Sequence, residues 1–182
     1  RSVSRGLGDV YKRQPPREGG FFPGTEEERL TILQQAIDSG VSWIDMESSI
    51  EEKTVEELMA AAKKKGCKIV YSSHDINGTP NSEDIASFVR DNGERADLVK
   101  FCSTAHSHLD ALQIIDAAIE LKGEGVDYSV MAVNSGGDWA RIHAPILGVS
   151  MVYATMSMEH RISDKGLINV RDLRDAWTLL EY

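Results

Sequence analysis

The chain has 182 residues, which is long enough for one ordinary domain with a hydrophobic core. Its content of 41% hydrophobic and 27% charged residues is typical of a soluble globular protein, and no apolar run is long enough to span a membrane. The formal net charge of −9 disfavours nonspecific binding to nucleic acids and to anionic membranes. Because Cys67 and Cys102 lack metal-type spacing, we expect reduced thiols in a cytoplasmic protein.

The first segment, RSVSRGLGDVYKRQ at 1–14, has neither a helical nor a strand period and lacks the apolar centre of a signal peptide. We expect it to be non-native or disordered, like adapter-derived sequence at the ends of assembled genes, with the natural N-terminus missing. A native, basic, flexible arm is the alternative. The predicted domain therefore covers residues 15–182.

From residue 25 onward the apolar pattern alternates between helix and strand. Thr25 with Glu28 predicts a capping box, and Gly40 and Gly66 predict helix ends. Leu109, Leu112, Ile115 and Ile119 form the predicted apolar stripe of a fourth helix. The predicted strands are 41–47, 67–73, 96–102, 127–133 and 147–154; helices are predicted from 25, across 55–65, from 80, through 109–119, and at 139–146 and 170–180.

This alternation predicts a parallel sheet covered by helices. We predict an incomplete (β/α)8 TIM barrel with about five to six of the eight βα units, because five full strands are visible and about three are absent or disguised in residues 1–20. Glu47, His74, Lys100 and Met131 fall at or near consecutive strand ends, where the active site of such a barrel lies. A doubly wound sheet is the structural alternative.

Two residues in this pattern suit proton and carbonyl chemistry. Lys100 lies inside the apolar segment ADLVKFC, where desolvation favours the neutral amine that attacks a carbonyl to form an imine. Its alternative role is a strand-end lysine that reaches solvent. His74 follows the apolar run KIVY, and an imidazole can take and give a proton at neutral pH. Its alternative role is a local hydrogen bond.

Glu47 and Arg141 are weaker candidates. Glu47 ends a predicted strand and could orient an imidazole, or it could be a solvated loop carboxylate. Arg141 follows a glycine turn in GGDWARIH. Its guanidinium could bind a carboxylate through two parallel hydrogen bonds, or it could form a surface salt bridge. His106 and His108 lack a third metal ligand at suitable spacing, so we predict no metal site there. We also find no phosphate loop and no dinucleotide motif.

Together these stretches resemble one family, the type I 3-dehydroquinate dehydratases of the shikimate pathway. The resemblance runs from PPREGG at 15–20 to the C-terminus. WIDMES is similar to the family's strand that ends in a functional glutamate, here Glu47. SSHDINGTP resembles the segment of the catalytic histidine, and ADLVKFC resembles that of the imine-forming lysine. GGDWARI keeps the spacing to a carboxylate-binding arginine.

The resemblance implies a lyase that converts 3-dehydroquinate to 3-dehydroshikimate and water. The resemblance further implies that Lys100 forms an imine with the substrate ketone and that His74 moves protons as general acid and base. Glu47 would position His74, while Arg141 and Ser163 would bind substrate. No metal or organic cofactor is implied.

The sequence also departs from the family. The closing loop reads SDKGL at 163–167, which keeps Ser163 but puts Leu167 at the position of a substrate-binding glutamine. Val133 stands where the family often has methionine, and Gln14 stands at an expected arginine. These changes leave open a catalytically impaired, ligand-sensing domain. A homodimer and a fused shikimate dehydrogenase domain are also left open.

Overall fold

The structure, a computed structural model, describes residues 10–156 and 167–182. They form two compact units, one of residues 10–74 with 95–97 and the other of the remaining described residues. In both units parallel strands alternate with helices, which confirms the predicted α/β class. Within the described ranges, none of the helices combines the length and hydropathy that a membrane crossing requires.

The first unit is built on three parallel strands in the order β1-β2-β3. Val10 pairs with Trp43, and Trp43 pairs with Lys68. Residues 1–9 of the segment predicted to be non-native lie outside the described residues, whereas its last part contributes β1. The elements are β1 (Val10–Tyr11), a 3₁₀ turn (Pro16–Glu18), α1 (Glu26–Asp38), β2 (Trp43–Glu47), α2 (Glu52–Lys65) and β3 (Lys68–Asp75).

Local sequence signals set the helix ends in this unit. The Thr25 hydroxyl accepts from the Glu28 amide, and the Glu28 carboxylate accepts from the Thr25 amide, so the predicted capping box is confirmed. Gly66 closes α2 with φ of 71°, a left-handed conformation that glycine adopts without steric cost. Leu33 and Ile37 of α1 are completely buried and supply part of the core.

The second unit contains two long parallel strands and most of the helices. Its strands pair from Val99 opposite Tyr128 to Ala105 opposite Asn134. The elements are α3 (Ser82–Asn92), β4 (Leu98–Ala105), α4 (His108–Leu121), β5 (Tyr128–Asn134), α5 (Trp139–Ile142), α6 (Ala144–Leu147) and α7 (Val170–Leu179).

The predicted buried face of α4 was wrong. Leu109, Leu112 and Ile119 are 72%, 40% and 59% exposed. The helix instead buries a face rich in small side chains: Ala111, Ile114, Ala117, Ala118 and Leu121. Because alanine has only one methyl group, this face lets the helix backbone approach β4 and β5 closely.

Two predicted strand boundaries were also wrong. β4 continues to Ala105, because Ser103 and Thr104 pair with β5 although their polarity indicated a loop. The predicted strand at 147–154 does not form, because Leu147 ends α6 and residues 148–154 are neither helix nor strand. That segment ends in a single bridge between Thr155 and Asn169.

Candidate active site

In the first unit, His74 is bonded to a buried carboxylate. The His74 Nδ1 atom lies 2.7 Å from Glu18 Oε2, and the two side chains are 7% and 6% exposed. A carboxylate on Nδ1 fixes the ring orientation and favours the tautomer with its proton on that nitrogen. The other ring nitrogen, Nε2, is then the one suited to exchange protons with a substrate.

A tight turn holds Glu18 beside the histidine. The amides of Glu18 and Gly20 both donate to the Pro15 carbonyl, each at 3.0 Å. The Gln14 side-chain amide donates to the Glu18 carbonyl, which ties the start of the turn to its end. Burial raises the pKa of the Glu18 carboxyl, but the hydrogen bonds from His74 and Ser49 and the nearby charges of His74 and Lys12 together outweigh it, so the net pKa lies below its ordinary value. Glu18 is therefore held as an anion.

Glu47 ends β2 as predicted but belongs to a different cluster. Its Oε2 accepts from Arg29 Nη1 at 2.7 Å, and its Oε1 lies 3.1 Å from Lys12 Nζ. Burial raises the pKa of Glu47 despite these two cations. The sequence predicted that Glu47 positions His74; the structure places Glu18 on the imidazole and couples Glu47 to Arg29. The solvated alternative for Glu47 was wrong, since its side chain is fully buried.

The arginine in this cluster bridges two carboxylates. Arg29 donates through Nη2 and Nε to Glu26 at 2.7 and 2.8 Å, and its own side chain is fully buried. Its Nη1 also donates to the Arg13 carbonyl at 3.0 Å. The guanidinium thus joins α1, β2 and the segment that leads into the Glu18 turn.

In the second unit, Lys100 lies in the middle of β4. It is only 5% exposed, so the alternative of a lysine that reaches solvent was wrong. The expectation that Lys100 lies near a strand end was also wrong, because β4 continues for five residues beyond it. Its Nζ lies 4.4 Å from the ring centroid of Tyr153.

Arg141 is buried and held by backbone carbonyls. Its Nη1 donates to Ala132 and Gly137 at 2.8 and 2.6 Å, and its Nε donates to Tyr153 at 3.1 Å. These three hydrogen bonds use Nη1 and Nε, and Nη2 takes part in none of them. Its side chain is 1% exposed, so Arg141 is not the surface residue of the alternative prediction, although its Nη1 also lies 3.6 Å from Asp138 Oδ1. Burial lowers the pKa of Arg141, yet a guanidinium keeps its charge at neutral pH.

The predicted turn before Arg141 is present. Asn134 and Gly136 have φ of 69° and 70°, and asparagine is one of the few residues besides glycine that tolerates this region. A Cβ on Gly137 would lie 2.7 Å from the Ala132 carbonyl oxygen, so the chain needs glycine at this close approach. Of the other predicted site residues, Val133 and Leu167 are half-buried, and Ser163 lies outside the described residues.

The geometry of the two units therefore includes a buried amine, a carboxylate-bonded imidazole and a buried guanidinium. The family profile described as type I 3-dehydroquinase matches residues 5–182. The chain belongs to the type I 3-dehydroquinase family. This confirms the predicted family and the predicted enzyme class, a hydro-lyase.

Individual relatives agree with the family profile. The 3-dehydroquinate dehydratase of Shigella boydii serotype 4 is 30% identical over 175 residues, which cover 94% of this chain and 68% of the relative. The type I 3-dehydroquinate dehydratase from Clostridium difficile, solved with covalently modified comenic acid, superposes with a TM-score of 0.85 at 24% identity. That match covers 94% of this chain and 68% of the other, and it supports the predicted barrel-like fold.

Another similar structure carries a further activity in its name. The dehydroquinate dehydratase and shikimate dehydrogenase from S. pombe matches with a TM-score of 0.78 and 21% identity, covering 94% of this chain but 32% of that one. A dehydroquinase of this fold therefore occurs in one chain with a shikimate dehydrogenase, which was the arrangement left open for this sequence.

Sequence reasoning missed Glu18 beside His74 in the first unit and Tyr153 beside Lys100 in the second. Glu18 stands in the segment PPREGG. A single acid directly before two glycines, in a turn that begins with two prolines, was the feature that could have marked it as a candidate. Tyr153 was assigned to a strand that does not form, so its neighbours were not predicted.

Proposed function

We propose that this dehydroquinase converts 3-dehydroquinate to 3-dehydroshikimate and water through an imine on Lys100. The burial of Lys100 within β4 is the observation that carries the proposal. An amine with little access to water is suited to attack a carbonyl carbon and to retain the resulting imine. Family membership supports the substrate, because the relatives are named for it.

The reaction is proposed to proceed in four balanced steps. The neutral Lys100 amine attacks the ketone carbon, and with the uptake of one proton from solvent the ketone oxygen leaves as water, which gives a protonated imine; that proton returns to solvent when the imine is hydrolysed in the last step. His74 then removes a proton from the neighbouring carbon, and the C–H electron pair moves to the nitrogen to form a neutral enamine. His74 returns that proton to the departing hydroxyl, which leaves as water and restores the protonated imine. A further water hydrolyses the imine and frees the product and the amine.

The remaining residues are assigned supporting roles. Glu18 positions His74, which is supported by its 2.7 Å contact with Nδ1. Arg141 is proposed to bind the substrate carboxylate through Nη2, because its other donors are bonded to carbonyls. Ser163 is proposed to contact substrate, as the family resemblance implies. Glu47 is assigned a structural role through Arg29 rather than a catalytic one.

The test is reduction of the imine by borohydride in the presence of 3-dehydroquinate, followed by mass spectrometry of the peptides. We expect the ligand mass on the peptide that contains Lys100 in the parental protein, and no adduct after Lys100→Met. Lys68→Met is the matched control, since Lys68 is an exposed lysine at the start of another strand. Substrate binding without an adduct or turnover would instead favour the ligand-sensing alternative.

A further inference from the structure

The aromatic ring beneath Lys100 has no role in the reaction as proposed above. The Lys100 Nζ atom lies 4.4 Å from the Tyr153 ring centroid, inside the roughly 6 Å over which a ring face attracts a cation. Lys100 is 5% exposed and Tyr153 is half-buried, so little water separates the ring from the nitrogen. Desolvation strengthens such a contact.

Two separate anchors hold the segment of Tyr153 in place. Arg141 Nε donates to the Tyr153 carbonyl at 3.1 Å, while the same guanidinium binds Ala132 at the middle of β5. The Ser129 hydroxyl donates to the Met151 carbonyl at 2.5 Å. Ser129 is the register partner of Lys100, so one anchor starts directly beside the lysine. The ring is therefore fixed relative to the strand that carries the amine.

We propose that the face of the Tyr153 ring stabilises the positive charge on the Lys100 nitrogen and keeps the imine protonated. This inference rests on the proposed function and adds a residue to it. The charge is on nitrogen in the imines before and after elimination, and it is absent in the enamine between them. A neutral imine draws the C–H electron pair weakly, so the chemistry needs the protonated form that the ring face favours.

The ring acts through its electron density, which can be changed almost without changing its shape. The test replaces Tyr153 with phenylalanine and then with 4-fluoro-, 3,5-difluoro- and 3,4,5-trifluorophenylalanine. Each fluorine withdraws electron density from the ring face. We expect dehydratase turnover and the fraction of Lys100 trapped by borohydride to fall together along the series, by about 2- to 30-fold in total.

Phe101 offers a matched control in the same strand. It is buried next to Lys100 in sequence and makes an edge contact with Phe88 at 5.7 Å between ring centroids. The same fluorinated series at Phe101 changes a buried ring of β4 that does not face the amine. We expect turnover and trapping to show no trend with fluorine number in this control.

The outcomes separate this inference from the function on which it rests. Turnover and Lys100 trapping that stay constant across the Tyr153 series, with the parental protein trapped normally, would overturn the role of the ring. Absence of any Lys100 adduct in the parental protein would overturn the proposed function itself. Tyr153→Leu removes the ring altogether, and the fluorinated variants keep the test decisive if that variant does not fold.

Discussion

Glu18 Oε2 lies 2.7 Å from His74 Nδ1, and both side chains are almost fully buried. The pair joins the Pro15–Gly20 turn to the end of β3. A carboxylate in this position fixes the plane of the imidazole and stabilises the imidazolium that forms when the ring accepts a proton. The proton transfer proposed for His74 therefore depends on the turn and the strand keeping their relative positions.

Glu18→Gln tests this relationship. The amide keeps the shape of the side chain but loses the negative charge, so we expect turnover to fall by about 10- to 100-fold, part of the 10²–10⁴ that a positioned base contributes. Initial rates of product absorbance are the measurement. Glu28→Gln is a control in the capping box of α1 and should leave the rate unchanged. Equal rates for Glu18→Gln and parent would contradict the assignment.

His74→Ala should separate condensation from elimination. Attack by the amine depends on Lys100, whereas breaking the C–H bond needs a base. We expect dehydration to fall by about 10²–10⁴ while borohydride still traps an adduct on Lys100. Both quantities should be measured on one preparation. Dehydration at the parental rate would show that His74 is only a structural residue at the end of β3.

The buried pair of Arg29 and Glu47 should contribute strongly to stability. Both side chains are fully buried, so Arg29→Met leaves a buried carboxylate with Lys12 as its remaining cation. We expect the free energy of unfolding to fall by about 3–5 kcal/mol. Adding Glu47→Leu should recover much of this loss, because the unpaired charge is then removed.

Urea denaturation of the single and double variants measures these differences. Arg90→Met is the comparison on the surface, where Arg90 binds Glu120 and Glu124 at the protein–water boundary. That variant should unfold within error of the parent. If Arg29→Met also had the same free energy of unfolding as the parent, the buried cluster would contribute nothing to stability.

The pH dependence of stability should include Glu26. Hydrogen bonds from Arg29 and, to a smaller extent, from Arg17 lower the pKa of the Glu26 carboxyl to about 2, against an ordinary value of 4.5. A lowered folded-state pKa means that the stabilisation is complete above the ordinary value and is lost as the pH falls toward 2. Glu26→Gln should therefore destabilise the protein at pH 7, and the difference from the parent should shrink between pH 4.5 and 2.

Denaturation at a series of pH values checks the sign of this effect. Glu27→Gln is the control, since it changes a neighbouring acid in the first turn of α1. A difference for Glu26→Gln that grows in acid would contradict the ion pair with Arg29.

Much of the fold could be predicted from local signals in the sequence. The capping box at Thr25, the glycine end of α2 and the alternation of strand and helix each follow from short-range chemistry. The face of α4 could not be predicted in this way, because the large residues Leu109 and Ile119 lie outward and the alanines lie inward. The buried face of α4 is set by close packing of its backbone against neighbouring elements. This packing depends on those elements rather than on the helix itself.

The candidate site was predicted unevenly for a similar reason. His74, Lys100 and Arg141 stand in recognisable segments, whereas the partners that hold them come from elsewhere in the chain. Glu18 is 56 residues before His74, and Tyr153 is 53 residues beyond Lys100. Such pairings are set by how strands and turns are arranged in space, so a sequence pattern alone did not show which carboxylate meets the imidazole.

The three carbonyls bound by Arg141 belong to β5, to the turn after it and to the segment of Tyr153. One side chain thus ties β5 and the turn that follows it to a third stretch further along the chain. Exposing the amides of any one stretch to solvent requires breaking bonds that also secure the other two. Hydrogen–deuterium exchange should accordingly find these stretches opening together, as a single cooperative substructure rather than as three independent loops.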